Sequence, residues 1–237
     1  MKAIILAGGL GTRISEETAD KPKPMVRIGE QPIIWHLMSI FAKQGIDEFI
    51  IATGYKGEVI QSWADSLETN WQIKVFDTGL DTQTGGRVKE CMRLVPGERV
   101  IATYGDGLGN VNLSQLVHFH EMNGLLGTVT AVRPPARFGV LESSNGIVTH
   151  FGEKNQTDAG WINGGFFVLE PNVADLVHDD SEPFETGAIP RLVSAQQLAA
   201  FHHTGFWQPM DTLREKEDLE RLASLGEPPW LKIEKTE

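Results

Sequence analysis

One cysteine, Cys91, stands in 237 residues, so the chain can form no internal disulfide and build no cysteine-rich metal site. Both a cationic, apolar leader and an unbroken apolar run of about 18 residues are missing, which argues against export and membrane spanning and leaves a cytoplasmic protein as the expectation. Positive charge is scarce: 21 Lys and Arg face 32 Asp and Glu, a net charge of −11. Nucleic-acid binders hold phosphate backbones with clustered Lys and Arg, so that partner class is excluded. Internal repeats, low-complexity tracts and Pro/Ser/Gly-rich linkers are absent as well. With 41% hydrophobic and 22% charged residues the chain has the composition of a folded domain rather than a disordered one. A single domain over residues 1–237 is expected, with halves 1–125 and 126–237 sharing one core.

What is present alternates. The run Ala3-Ile4-Ile5-Leu6-Ala7 ends at Gly8-Gly9 and reads as a strand buried on both faces. After Pro32, the residues Ile33, Ile34, Leu37, Ile40 and Phe41 recur at helical spacing until Gly45. A strand over residues 48–54, a helix from about Gly57 to Leu67, a strand at 72–77, a helix after Gly86 and a strand at 99–104 follow, then a helix through Leu113, Leu116 and Phe119. Shorter strands are expected at 128–132, 138–142, 147–151 and 162–169, and a last helix near 213–225. The pattern predicts an α/β fold with a Rossmann-like, doubly wound, mixed but mainly parallel sheet, and ligands in the crevice at the strands' carboxyl ends. The glycines at 8–11, 54, 79, 85–86 and 105–107 gather there.

The stretch Gly8-Gly9-Leu10-Gly11-Thr12-Arg13, with Lys21-Pro22-Lys23-Pro24-Met25 ten residues on, has the parts of a phosphate cradle. Glycines let backbone N–H groups converge on an anion, and Arg13 and Lys23 bring countercharge. It is not a Walker loop, which needs Gly-Lys-Ser/Thr, nor the dinucleotide fingerprint, whose third glycine is Ile14 here. Asp106, between Gly105 and Gly107 at a strand end, is open to a ligand, although an Asx turn also uses such a residue. For Asp211-Thr212-Leu213-Arg214-Glu215, spacing alone favours a helix cap with Thr212 and Glu215 as a capping box. Histidines offer little: His118 and His120, like His202 and His203, point to different faces and read as surface or interface residues.

The glycine-Arg13-Lys23 signature resembles that of the sugar-1-phosphate nucleotidylyltransferases. Asp77-Thr78-Gly79, Thr84-Gly85-Gly86-Arg87, Thr103-Tyr104-Gly105-Asp106-Gly107 and the stretch from Gly205 to Arg214 are similar to the glucose-1-phosphate cytidylyltransferase family in particular. The resemblance covers nearly the whole chain. It implies Mg²⁺-dependent reaction of CTP with α-D-glucose 1-phosphate, giving CDP-glucose and pyrophosphate, for cell-surface polysaccharides such as O-antigen. It makes 1–125 the nucleotide-binding half and 126–237 the sugar-binding half. It assigns Leu6, Gly8, Gly9, Gly11, Thr12, Arg13, Lys23, Thr84, Gly85 and Arg87 to the nucleotide, the glycines for close backbone approach to a base and Arg87 for a phosphate. Tyr104, Gly139, Glu153, Lys154, Asn163 and Gly164 fall to the sugar phosphate. Arg13, Lys23 and Asp106 become catalytic, and Asp106 with Asp211 the metal ligands, Thr212 being left to cap the helix. A homo-oligomer is implied too.

The chemistry asks for the same parts. A sugar phosphate oxygen is already an anionic nucleophile, so the obstacle is bringing two anions together, and cations must overcome it. Two departures from the family stand out. Between Leu67 and Asp77 helix passes directly to strand where the family carries a further segment of about twenty residues, which bears on assembly. At Pro183–Pro190 the family is more acidic, which bears on the choice of sugar. UTP or GTP with another hexose or heptose phosphate is the rival reading. A non-catalytic nucleotide-sugar sensor is a third, disfavoured because Arg13, Lys23, Asp106 and Asp211 are all kept.

Overall fold

A computed structural model describes residues 1–134, 139–144, 147–153 and 160–233. Eight strands form the main sheet: β1 (Lys2–Leu6), β2 (Glu48–Thr53), β3 (Gln72–Asp77), β4 (Val100–Tyr104), β5 (Gly127–Val132), β6 (Ile162–Asn163), β7 (Phe167–Leu169) and β8 (Leu198–His203). The order is β6-β5-β7-β4-β1-β2-β3, with β8 along β5. β1, β2, β3 and β4 run parallel to one another, whereas β7 is antiparallel to both β4 and β5. The sheet is therefore mixed and mainly parallel, as the alternation predicted.

Parallel strands need crossovers, and the helices α1 (Ile33–Ala42), α2 (Gly57–Asp65), α3 (Thr84–Arg93), α4 (Leu113–Asn123), α5 (Ala188–Ser194) and α6 (Leu213–Ser224) cover the sheet's two faces. The period-2 alternation of β1 divides the core. Ala3 and Ile5 pack with Ile34, Leu37 and Phe41 of α1 on one face, while Ile4 and Leu6 pack with Val88, Cys91 and Met92 of α3 on the other. Burial pushes the Cys91 thiol up to about 12, so it is an inert packing residue.

Three expectations are corrected. Helix α3 begins at Thr84, ahead of Gly86, because residues 180–182 lie across its first turn and satisfy the early N–H groups of Gln83 (2.8 Å to Asp180 O) and Gly85 (3.1 Å to Glu182 O). The strand at 162–169 is broken: pairing with β5 slips by two residues at Gly164-Gly165-Phe166, where Gly165 and Phe166 have φ of 77° and 45°. His120 is buried, not superficial, and meets Thr128 Oγ1 at 2.9 Å and Glu170 at 3.1 Å. Between α2 and β3 the chain does pass directly from helix to strand. Beside the sheet, Gly139–Ser144 and Ile147–Glu153 form a hairpin in which Gly139 faces Glu153.

Candidate active site

At the carboxyl ends of β1 and β4 the chain turns outward twice, through Gly8–Arg13 and through Gly105-Asp106-Gly107. Gly11 takes the left-handed conformation, φ 64°, that opens the turn carrying Arg13, and Thr18 Oγ1 bonds its carbonyl at 3.1 Å. A second turn, Lys23–Met25, buries Lys23 to 7% exposure. Asp211 comes from far along the chain. A two-stranded ribbon pairs Gly107–Gly109 with Trp207–Pro209, and Met210 N–H continues it to Asp106 O at 2.9 Å, so the ladder sets Asp106 and Asp211 side by side. The capping box that made Asp211 ambiguous belongs to Thr212 and Glu215, and Asp211 lends only its backbone N–H to Glu215, at 2.7 Å.

The two carboxylates converge on one cation. Lys23 Nζ lies 2.6 Å from Asp106 Oδ2 and 2.6 Å from Asp211 Oδ1, and Arg13 Nη1 lies 2.6 Å from Asp211 Oδ2. Arg13 is 72% exposed at its side chain and can turn to a ligand, whereas Lys23 is anchored from below. A pair of carboxylate oxygens that already shares one positive charge suits a hard cation with oxygen ligands.

Two cavities meet at this cluster. The first, about 520 Å³, is walled by Leu6, Gly8, Gly9, Gly11, Thr12, Lys23 and Thr84 among others. The second, about 570 Å³, is walled by Pro134, Ile162, Asn163, Trp207, Pro209 and Asp211. Arg13, Tyr104, Asp106 and Glu185 line both. Of the sequence-predicted residues, Leu6, Gly8, Gly9, Gly11, Thr12, Lys23, Thr84 and Arg87 line the first cavity, Asn163 and Asp211 the second, and Arg13, Tyr104 and Asp106 both, whereas Gly85 and Gly164 line neither.

Some assignments change their physical reason. Arg87 is 4% exposed; its guanidinium donates to Gly8 O at 3.2 Å, to Thr53 O and to Thr78 Oγ1, and a Cβ at Gly8 would stand 2.1 Å from its Cζ. It clamps the glycine loop while also lining the first cavity. Burial draws its pKa below the usual arginine value, against the opposing pull of Asp77. Gly85 is glycine because Glu182 O lies 2.5 Å from where its Cβ would be; that face meets protein rather than a base. Gly164 likewise backs on Val132, and its carbonyl accepts the Trp207 indole N–H at 2.9 Å. Gly139 and Glu153 are described only as paired strand positions, and Lys154 and Phe138 lie outside the described residues.

Sequence reasoning missed Glu185. Thr84 Oγ1 donates to its Oε2 at 2.7 Å and Tyr104 Oη to its Oε1 at 2.5 Å; Asn163 Nδ2 donates to Tyr104 Oη at 2.9 Å. Burial first, then Glu185, raises the Tyr104 pKa above the ordinary phenol value, so Tyr104 stays a neutral donor. A lone Glu between Phe184 and Thr186 carries no motif; only the docking of 180–185 on α3 reveals it.

Fold and site define a class: an α/β enzyme whose cation cluster bridges two polar pockets at the strand ends of a mainly parallel sheet. The chain belongs to the nucleotidyl transferase family, whose model matches residues 2–214. It is 44% identical to a glucose-1-phosphate cytidylyltransferase of Salmonella typhi, over 97% of this chain and 98% of that one. That alignment runs to 253 positions against 237 residues, so the relative carries residues with no counterpart here. A mannose-1-phosphate guanylyltransferase of Arabidopsis thaliana is 30% identical over 91% of this chain and 62% of its own. Among solved structures, the inositol-1-phosphate CTP transferase from T. maritima superposes with a TM-score of 0.71 at 14% identity, over 95% of this chain and 96% of that one, a likeness of fold. Among the described residues no helix is long and apolar enough to cross a membrane.

Proposed function

We propose that the protein transfers the cytidylyl group of CTP to α-D-glucose 1-phosphate, releasing pyrophosphate and forming CDP-glucose. The observation that carries the reading is the Arg13-Lys23-Asp106-Asp211 cluster at the junction of the two cavities, on a chain 44% identical along almost its full length to a protein of that name.

The glycine loop at 8–11 would cradle the triphosphate in the first cavity with backbone N–H groups, while the second cavity receives the sugar phosphate. Arg13 reaches from the wall common to both and would neutralise the α-phosphate as the sugar phosphate oxygen attacks in line. Lys23 supplies a fixed positive charge under the same point. Asp106 and Asp211 would hold Mg²⁺, which when bound withdraws charge from the departing pyrophosphate. Tyr104 and Asn163 would orient the sugar phosphate. Holding both anions at once removes their mutual repulsion and their encounter entropy, which is where the acceleration comes from. Homo-oligomerisation and a cytoplasmic setting belong to the same proposal.

Purified protein with Mg²⁺ should release pyrophosphate only when a nucleoside triphosphate and a sugar 1-phosphate are both present. In a panel of four triphosphates against several sugar phosphates, CTP with glucose 1-phosphate should give the highest kcat/KM. Turnover with GTP and mannose 1-phosphate in its place would overturn the assignment of base and sugar.

A further inference from the structure

We infer that Glu185 determines sugar choice in the second cavity: its carboxylate accepts a sugar hydroxyl and repels sugar 1-phosphates that carry a further anionic group. The inference rests on the nucleotidyl-transfer reading above and adds to it a substrate class, the neutral polyhydroxylated sugar.

Three carboxylates of the described residues line the two cavities, and they differ. Asp106 and Asp211 share Lys23 at 2.6 Å each, and Asp211 also meets Arg13 at 2.6 Å. Glu185 receives only neutral donors, Thr84 and Tyr104 hydroxyls, and no cation of the described residues pairs with it. Each carboxylate oxygen has two acceptor positions, so each keeps one beyond its hydroxyl donor. A bare negative charge beside bound phosphates raises their cost of binding, so the ligand part that faces Glu185 must be uncharged and must donate hydrogen bonds. Sugar hydroxyls meet both conditions.

Position supports the same reading. Glu185 is on the wall common to both cavities, as are Arg13, Tyr104 and Asp106, and so borders the space where the sugar would join the phosphates. Its aim is fixed before any ligand arrives. Phe184 N–H bonds Thr84 Oγ1 at 2.8 Å, Glu182 pairs with Arg191, and Asn163 holds the phenol that holds Glu185. A carboxylate preset in this way loses little entropy when it accepts a hydroxyl.

The test is Glu185→Gln, equal in size and uncharged, assayed with CTP and Mg²⁺ against glucose 1-phosphate and glucuronate 1-phosphate, which differ by a carboxylate at C6. KM for glucose 1-phosphate should rise about ten- to a hundredfold, as loss of a charged hydrogen bond requires. KM for CTP should hold, and the wild-type preference for the neutral sugar should narrow at least about tenfold. Calorimetric titration of both sugar phosphates, with Mg²⁺ and a non-transferable CTP analogue, should give the same affinity ratios without turnover. Absence of pyrophosphate release beside the expected ratios would strike the reaction reading alone. Glu185→Asp keeps the charge on a shorter arm and should still exclude glucuronate 1-phosphate; it decides the matter if Glu185→Gln unfolds. Equal affinity of the wild type for the two sugars, an unchanged ratio in Glu185→Gln, or a rise in KM for CTP alone would overturn the inference.

Discussion

The two walls of the crevice are built in opposite ways. On the proposed nucleotide side much of the wall is one stretch: β1 leads directly into Gly8–Arg13, and Lys23 follows ten residues later, with Leu80, Thr84, Arg87, Tyr104, Asp106 and Glu185 completing it. On the sugar side the wall is a patchwork of Asn163 from β6, Glu185 from the loop before α5, and Trp207 and Asp211 from the ribbon before α6. The single stretch takes its turns locally, although Arg87 braces Gly8 across 79 positions, whereas the patchwork exists only after the whole sheet has formed. On the proposed assignment, the phosphate cradle draws more on short-range structure and the sugar pocket more on long-range packing, where substitutions would retune it with less effect on the cradle.

The sharpest way to break this division is at the cluster where the walls meet. Asp106→Asn and Asp211→Asn each remove one anionic ligand, and kcat should fall on the order of 100- to 1000-fold in either. The carboxamide is isosteric, so the melting temperature should stay within a few degrees, while Mn²⁺ titration should show weakened binding. A near-normal rate in Asp211→Asn at saturating Mg²⁺ would mean that the long-range wall contributes no metal ligand, and the comparison would lose its hinge.

Arg87 sharpens the comparison from the other side. In sequence it reads as a phosphate ligand, because Thr84-Gly85-Gly86-Arg87 has two glycines and a cation at a helix start; the structure puts it under the glycine loop as a clamp. Arg87→Met should take one donor each from Gly8 O, Thr53 O and Thr78 Oγ1, the two carbonyls keeping the N–H groups of Tyr55 and Thr78, at a cost of about 3 kcal/mol of stability by denaturant unfolding. KM for CTP should rise as the loop loosens, with KM for the sugar phosphate nearly unchanged. An unchanged unfolding midpoint with a collapsed kcat would restore the direct phosphate role.

What the sequence made legible follows the same line. Glycine punctuation, helical spacing and the Arg13-Lys23 pair are local, and they place β1 to β4, α1, α2, α4 and the glycine turn after β1 near their observed bounds. At Asp211 spacing alone favours a helix cap, and the capping box is indeed that of Thr212 and Glu215; what spacing does not show is the ribbon with Gly107–Gly109, which brings Asp211 to Lys23 beside Asp106. The bulge at Gly164–Phe166 and the entry of Glu185 depend on partners 30 to 100 positions away, Thr130 and Phe166 at separation 36 and Phe184 with Thr84 at separation 100, and leave no periodicity behind. Arg87 is a related case: a first-turn arginine looks alike in sequence whether it faces ligand or backbone, and this one bonds the backbone of the glycine loop while also lining the first cavity.

The mildest test concerns the patchwork alone. Trp207 crosses from the ribbon to the bulge, giving its indole N–H to Gly164 O at 2.9 Å. Trp207→Phe keeps most of the ring and removes only that donor, a loss of about 1 kcal/mol. If the sugar wall is held by such long-range bonds, KM for the sugar phosphate should rise severalfold while kcat and KM for CTP hold, since Lys23, Arg13 and the glycine loop are untouched. Equal changes in both KM values would show that strain at the ribbon reaches Asp106 through Met210 N–H, and the two walls would have to be treated as one mechanical unit.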